Sequence, residues 1–121
     1  FIHDVSIFYR GLDVYLNTSL HEGIPMSVLE AMAHGVPPVV PRVGGLEEIV
    51  TDGVDGYLVD GRNPRDFAEK CLSLYKNETL RRSMARAARA KIVGQFSVER
   101  MVNAYLDLYL RTMANRGQRR N

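Results

Sequence analysis

Runs of apolar residues along the chain change in length and period near residue 62. Before that point they are short and lie between turn residues such as Gly, Pro, Asn and Asp, a pattern that predicts β-strands. We expect three strands, at residues 13–17, 38–41 and 57–59. Between them, stretches of helix-forming residues predict one helix over 26–34 and a shorter one over 46–50. Because the strand segments are apolar without alternation, they predict a parallel sheet covered by helices.

The second half of the chain has the period of an α-helix. Asn63 and Pro64 predict one helix start, since Asn caps a helix well and Pro fits its first turn. Asn77 and Ser97 predict the caps of two further helices, near residues 78–94 and 98–114. The last of these carries an apolar stripe formed by Val98, Met101, Val102, Tyr105, Leu108 and Tyr109.

Together these elements predict an α/β fold. We expect a partial Rossmann-like domain, in which a short parallel sheet of about three strands is flanked by helices and followed by a helical C-terminal part. Residues 1–62 should form the parallel α/β half, residues 63–115 should add helices to the same domain, and residues 116–121 should be a frayed basic tail. A ligand site is expected at the carboxyl edge of the sheet, where the loops after the first two strands lie, at 18–25 and 44–45.

Composition limits the classes of function. The 121 residues suffice for one domain, and the apolar fraction of 45% and charged fraction of 25% are typical of globular proteins. No apolar run approaches the roughly 20 residues that a membrane span needs. The single cysteine, Cys71, allows no internal disulfide, which favours a reducing compartment, and we expect a cytoplasmic protein. Because the chain opens on Phe1, we expect it to be a piece of a longer protein.

Charge is distributed unevenly, although the net charge is only +2. Residues 1–60 hold two basic and nine acidic side chains, whereas residues 61–121 hold fourteen basic and five acidic ones. Arg82, Arg86 and Arg89 share one face of a predicted helix. This face is either a solvated surface or a contact for an anionic membrane or another acidic partner. Nucleic acid is not an expected partner, because the segment lacks interleaved aromatic residues.

The segment HEGIPMSVLE holds the candidate site, with Glu22 and Glu30 on either side of a loop that enters a predicted helix. A helix N-terminus offers unpaired N–H groups and a partial positive charge, which suit phosphate. Since Pro25 has no N–H, the available donors are those of Gly23, Ile24, Met26, Ser27 and Val28. Carboxylates accept hydrogen bonds from adjacent sugar hydroxyls. The arrangement therefore suits a ligand with hydroxyls at both ends and phosphates between them, as in a nucleotide-diphosphate sugar.

The same residues also allow a purely structural interpretation. Ser27 and Glu30 fit a capping box, in which Ser27 caps the helix and Glu30 accepts a hydrogen bond from the Ser27 N–H. Pro25 favours the ligand-binding interpretation, because a helix that starts there carries Glu30 into its second turn. The residue at which the helix starts therefore distinguishes the two hypotheses.

A longer pattern resembles a known family. The stretch SLHEGIPMSVLEAMAHGVPPVV, followed by GGLEEIVTDGVDGYLV, resembles the C-terminal, nucleotide-sugar donor-binding domain of retaining GT-B glycosyltransferases of family 4. The Glu-x7-Glu signature of that family is matched by Glu22 and Glu30, and the resemblance covers roughly residues 5–110. It implies a glycosyltransferase of the hexosyltransferase type, acting as part of a longer two-domain chain. Such an enzyme transfers a sugar from a UDP- or GDP-sugar with retention, in polysaccharide or glycolipid synthesis.

The resemblance also implies roles for individual residues. Glu22 would be the catalytic residue at the donor sugar, and Glu30 would bind ribose hydroxyls. Gly44 and Gly45 would let the next loop approach the nucleotide. The loop N–H groups would hold the diphosphate and the sugar hydroxyls. The donor-binding segment is therefore expected to comprise Gly23, Ile24, Pro25, Met26 and Ser27, of which only Pro25 lacks an N–H.

Features that the sequence lacks refine these expectations. His3, His21 and His34 show no metal-ligand spacing. The resemblance implies an enzyme without metal or cofactor, since dipoles and cations can stabilise the leaving diphosphate. The phosphate-binding cations and the N-terminal acceptor domain of the family match no part of this chain, so the fragment alone is expected to be inactive. A peripheral contact with the inner membrane is left open. The competing hypothesis is a non-catalytic interaction module with a basic helical face.

Overall fold

The computed structural model describes residues 4–118, and the side chains of residues 4–114. Within that range three parallel strands form one sheet in the order β1–β2–β3. The strands are β1 (Tyr15–Leu16), β2 (Pro38–Pro41) and β3 (Tyr57–Val59). The helices are α1 (Val5–Arg10), α2 (Met26–Ala33), α3 (Leu46–Ile49), α4 (Pro64–Lys76), α5 (Glu78–Gln95) and α6 (Val98–Gln118). The predicted fold class, a short parallel sheet flanked by helices, is therefore confirmed.

The central strand β2 divides the core into two apolar clusters, because successive side chains of a strand point to opposite faces. Val40 packs on one face with residues of α2, α3 and its C-cap, β3 and α5, namely Val28, Met32, Leu46, Ile49, Val50, Leu58, Ala88 and Ile92. Val39 packs on the other face with Val59, Phe67, Leu74 and Met84. Helices therefore cover both faces of the sheet, which explains why β2 reads as a continuous apolar run.

The first helix, α1, is absent from the sequence-based prediction. The Asp4 side chain caps it by accepting a hydrogen bond from the Ser6 N–H at 2.9 Å. Six residues are too few to display a helical period, so the apolar pattern gives no signal. The helix matters because it carries Tyr9 into a third apolar cluster, together with Ala31 and Val36.

The side chains of the last helix, α6, are exposed throughout residues 98–114. Its predicted position is confirmed at the start, but it runs to Gln118, beyond the predicted end at 114. The side chains of the predicted apolar stripe are 45–72% exposed. Residues 116–118 of the predicted tail continue the helix, while residues 119–121 lie outside the described part. None of the described helices combines the length and apolar character that crossing a membrane requires.

The basic helix α5 uses its arginines in two ways. Arg82, Arg86 and Arg89 are exposed, and Arg82 forms an ion pair of 2.6 Å with Glu78 one turn earlier. Arg81 points elsewhere: its guanidinium lies 3.3 Å from the Asp13 carboxylate and donates to the carbonyl oxygen of Leu74. Arg81 thus fastens α5 to the end of α4 and to the segment that leads into β1.

Candidate functional site

The helix that follows the loop from Glu22 to Pro25 begins at Met26. Pro25 is its N-cap, with extended backbone angles (φ −73°, ψ 120°), and none of the described side chains caps it. The carbonyl oxygen of Pro25 accepts the first hydrogen bond, from the Val28 N–H at 3.1 Å. The capping-box hypothesis is therefore wrong, because the helix starts before Ser27 rather than after it. Glu30 lies in the second turn, beyond capping reach.

Glu30 is held instead by a residue distant in sequence. The Tyr9 hydroxyl donates to Glu30 Oε2 at 3.0 Å, across a sequence separation of 21 residues. The Glu30 side chain is half-buried, whereas Tyr9 is only 5% exposed. One turn later His34 forms the C-cap of α2, as predicted for a helix end, and its Nδ1 lies 2.8 Å from the Glu30 carbonyl oxygen. Tyr9 therefore contacts the side chain of Glu30, and His34 contacts its backbone, which together hold the second turn of α2 in place.

Glu22 is oriented by polar residues of its own loop. Asn17 Nδ2 donates to Glu22 Oε1 at 3.3 Å, and the Ser19 N–H donates to Asn17 Oδ1 at 2.7 Å. Hydrogen bonding from Ser19, and then from Asn17, holds the pKa of Glu22 below its ordinary value. Glu22 is therefore a carboxylate at neutral pH, and both of its orienting partners are uncharged.

The backbone between the two glutamates presents free donors. The N–H groups of Gly23, Ile24, Met26 and Ser27 donate to no acceptor within residues 4–114. Val28 was also expected to offer its N–H, and that expectation is wrong, since the helix hydrogen bond to Pro25 engages it. Gly23, Ile24 and Met26 are solvent-exposed. Four unpaired donors next to a helix N-terminus are chemically suited to an anion.

The Gly44-Gly45 loop lies directly against the segment 22–30, which is called the glutamate loop below. A Cβ atom on Gly44 would fall 2.0 Å from the carbonyl oxygen of Glu22, and one on Gly45 would fall 2.3 Å from that of Gly23. Gly44 also has a left-handed backbone (φ +53°) that disfavours other residues. Both glycines therefore allow two protein loops to meet. Their predicted approach to a nucleotide remains a prediction.

Arg42, the basic residue next to this loop, is already engaged. Its Nε donates to Asp60 Oδ1 at 2.7 Å, and its two terminal nitrogens lie 3.6 Å from Asp52 and 3.8 Å from Glu47. The hydrogen bond to Asp60 raises the pKa of Arg42. Because three carboxylates surround this guanidinium, it is poorly placed to neutralise a phosphate.

A cavity of about 590 Å³ opens beside the candidate loop, at the carboxyl edge of the sheet. Thr18 and Ser19 line one wall and Phe67 and Cys71 line another, whereas Glu22 and Glu30 do not contribute to it. Burial raises the pKa of the Cys71 thiol, which keeps it protonated at neutral pH. The cavity is mainly apolar, and its polar lining includes the side chains of Arg42 and Arg62.

The histidines and acids of the described residues form no group that could hold a metal ion. His21 is exposed at the rim of the glutamate loop, and His34 interacts with the backbone of Glu30. His3, the remaining histidine, lies outside the described residues.

Two contributors to the site were missed from the sequence. Tyr9 lies in a helix that the pattern does not predict, and nothing local links it to Glu30. Asn17 carried a readable signal, since a polar side chain directly after the first strand lies at the carboxyl edge where ligands bind.

Comparison with known proteins identifies the family. Residues 1–91 match the model described as glycosyl transferases group 1. The chain belongs to this family. N-acetyl-alpha-D-glucosaminyl L-malate synthase of Bacillus anthracis is 37% identical over 97 residues, which are 80% of this chain and 26% of that enzyme. This group 1 chain therefore spans about a quarter of the length of that relative.

Solved structures of glycosyltransferases share the fold. HepE of Anabaena, determined with UDP and separately with UDP-glucose, superposes with a TM-score of 0.83 at 25% identity, over 93% of this chain and 31% of HepE. The C-terminal domain of LpcC, a group 1 protein of Francisella tularensis, superposes with a TM-score of 0.73 at 29% identity, over 81% of this chain and 52% of that domain. The structural neighbours are GT-B glycosyltransferases, as the sequence pattern suggested.

Proposed function

We propose that this group 1 chain is the donor-binding part of a glycosyltransferase that uses a UDP- or GDP-sugar. HepE, which binds UDP and UDP-glucose, supports a nucleotide donor. The similarity to the C-terminal domain of LpcC supports a C-terminal position in the whole enzyme. One observation carries the proposal: α2 begins at Met26, so that Glu30 is not a helix cap, and four N–H groups of the segment that precedes it have no acceptor among the described residues.

Glu30 binds the ribose of the nucleotide in this proposal. Its Oε2 accepts from Tyr9, which leaves Oε1 without a donor among the described residues. A carboxylate accepts hydrogen bonds from two adjacent hydroxyls, and the 2′- and 3′-hydroxyls of ribose are such a pair. Loss of the Glu30 charge should therefore act chiefly on donor affinity.

Glu22 contacts the donor sugar in this proposal, close to the reacting carbon. Its lowered pKa keeps it ionised, and charge that develops on the sugar during bond breaking is stabilised by a nearby carboxylate. The spacing of Glu22 and Glu30 matches the Glu-x7-Glu signature, which supports membership of family 4 and retention of configuration.

The diphosphate leaves without a metal in this proposal. The N–H groups of Gly23, Ile24, Met26 and Ser27, together with the positive end of α2, would hold it. Arg42 contributes little positive charge, because Asp52, Asp60 and Glu47 surround it, and further cations would come from another part of the whole enzyme. The acceptor would bind to an N-terminal domain, and this chain alone would not catalyse transfer.

The cellular setting is also a proposal. We place the whole enzyme in the cytoplasm, acting in polysaccharide or glycolipid synthesis. The exposed arginines Arg82, Arg86 and Arg89 would allow a peripheral contact with the anionic inner membrane.

Calorimetric titration of the full-length enzyme with UDP-sugars and GDP-sugars tests the donor assignment. The proposal predicts saturable heat with one nucleotide class and a loss of affinity in Glu30→Gln. The matched control is Glu47→Gln, which removes an exposed glutamate whose described contact is to Arg42. Flat titrations with every nucleotide sugar would contradict the proposal and favour the non-catalytic module.

A further inference from the structure

Tyr9 is the residue on which the position of the Glu30 carboxylate depends. Its ring is 5% exposed and belongs to the apolar cluster with Ala31 and Val36. It stacks on His34, with 5.4 Å between ring centroids and an interplanar angle of 22°. Its hydroxyl ends 3.0 Å from Glu30 Oε2. A buried aromatic ring thus supports the polar side chain at the surface above it.

The packing fixes the tyrosine independently of the glutamate. Phe8 lies edge-on to its ring at 5.3 Å, and Tyr15 of β1 lies 6.3 Å away on a tilted plane. Rings enclosed in this way have few alternative rotamers. Glu30, in contrast, is half-buried and has three rotatable side-chain bonds. The rigid partner therefore sets the position of the mobile one.

The tyrosine hydroxyl suits this task because it is neutral. Burial, and then the hydrogen bond with Glu30, raises the pKa of Tyr9 to about 12, so the hydroxyl remains a donor at physiological pH. An arginine or lysine in its place would bind the carboxylate more strongly but would also neutralise it. A neutral donor holds Oε2 and leaves the charge of Glu30 available to ligand hydroxyls.

We propose that Tyr9 is a positioning residue for ribose recognition, which it serves by holding Oε2 so that Oε1 faces the ribose hydroxyls. The inference rests on the proposed role of Glu30 in nucleotide binding. It assigns specificity for ribose over deoxyribose to a residue of α1, outside the Glu22–Glu30 segment.

The test compares ribose and deoxyribose ligands in the full-length enzyme. UDP, GDP and their 2′-deoxy counterparts are titrated calorimetrically against the wild type, Tyr9→Phe, Glu30→Gln and the double variant. We expect Tyr9→Phe to weaken the ribonucleotide about fivefold to tenfold, the worth of one typical hydrogen bond, and the 2′-deoxynucleotide much less. In the Glu30→Gln background, Tyr9→Phe should add almost nothing, because the two residues act as one unit.

Controls separate positioning from stability. Tyr15→Phe removes the hydroxyl of a neighbouring tyrosine that has no hydrogen bond to a described side chain, and it should leave the ribose preference unchanged. Tyr9→4-aminophenylalanine keeps an N–H donor on the same ring and should restore the preference, which also covers the case in which Tyr9→Phe does not fold.

Each outcome has a distinct meaning. If the wild type binds neither ribonucleotide, the donor-binding proposal fails. If the wild type binds one ribonucleotide but Tyr9→Phe weakens the ribo and deoxy ligands equally, the positioning inference alone is overturned. The same holds if Tyr9→Phe weakens binding as much in the Glu30→Gln background as in the wild type. A selective loss of ribose preference supports both.

Discussion

Two loops of this molecule hold carboxylates in opposite ways. In the loop 51–56, Asp55 is 3% exposed and lies 3.2 Å from the ammonium group of Lys91. It also accepts the Thr51 N–H at 2.7 Å, and Lys91 donates to the Thr51 hydroxyl at 2.9 Å. In the glutamate loop, Glu22 and Glu30 are half-buried, and among the described residues only neutral groups donate to them: Asn17 and Ser19 to Glu22, and Tyr9 to Glu30.

The difference shows how carboxylates for structure and for binding can be distinguished. Asp55 binds a cation and a backbone N–H, so both of its carboxylate oxygens have partners inside the fold. Neutral partners orient Glu22 and Glu30 without cancelling their charge, which leaves them able to bind hydroxyls or to stabilise positive charge. Changes at Asp55 should therefore affect stability, and changes at the glutamates should affect ligands.

The largest expected effect on stability comes from removing the cation of the buried ion pair between Lys91 and Asp55. Lys91→Met leaves the Asp55 carboxylate buried and uncompensated, which should lower the free energy of unfolding by about 3 kcal/mol. Asp60→Asn breaks the exposed ion pair with Arg42 and should change the free energy of unfolding by less than about 1 kcal/mol. Guanidinium unfolding of the full-length enzyme measures both, and equal effects would remove the distinction between the two pairs.

A smaller effect is expected where the two loops meet. Gly44→Ala forces a Cβ atom into the Glu22 carbonyl and a left-handed backbone onto alanine, at a cost of about 2–3 kcal/mol. Gly53 in the loop 51–56 has the same left-handed backbone (φ +75°) but open space around it, so Gly53→Ala should cost only about 1 kcal/mol. Gly44→Ala should also weaken nucleotide binding, because Glu22 must move. Thermal melting and titration of the two variants check this, and identical behaviour would contradict the loop contact.

The smallest effect concerns the ionisation of Tyr9. Its pKa of about 12 lies above the ordinary value, so the protonated phenol stabilises the fold fully below pH 10 and the contribution is lost as the pH rises towards 12. Glu30→Gln removes the negative charge and should lower this pKa, while burial, the larger cause, keeps it above the ordinary value. Ultraviolet titration reports phenolate formation, and Tyr9→Phe identifies the signal. Asp55→Asn should leave the pKa unchanged, and a shift as large as that of Glu30→Gln would refute the pairing of Tyr9 with Glu30.

Most of the fold could be predicted from the sequence. β2 and β3 match their predicted residues, because apolar runs between prolines, glycines and aspartates are strong local signals. The capped starts of α4 and α5, at Asn63 and Asn77, are equally local. Short elements were predicted less well. β1 has two residues rather than the predicted five, and α1 was not predicted because it is too short to show a helical period.

The candidate site was only partly predictable. The positions of Glu22 and Glu30 around a loop follow from spacing, and Pro25 correctly indicated where α2 starts. The partner of Glu30 could not be found in the same way, since Tyr9 is 21 residues away and meets it through tertiary packing. The contact of Gly44 with the Glu22 carbonyl is likewise a product of the fold, although a glycine pair signals some close approach.

Steady-state kinetics of the full-length enzyme with varied donor test most directly whether the glutamate loop is a donor site. Glu30→Gln should raise KM for the nucleotide sugar about tenfold with little change in kcat, because it removes binding that is equal in the ground and transition states. Glu22→Gln should lower kcat about 100-fold with little change in KM, because its charge acts in the transition state. Kinetics left unchanged by both substitutions would contradict the assignment of this loop to the donor.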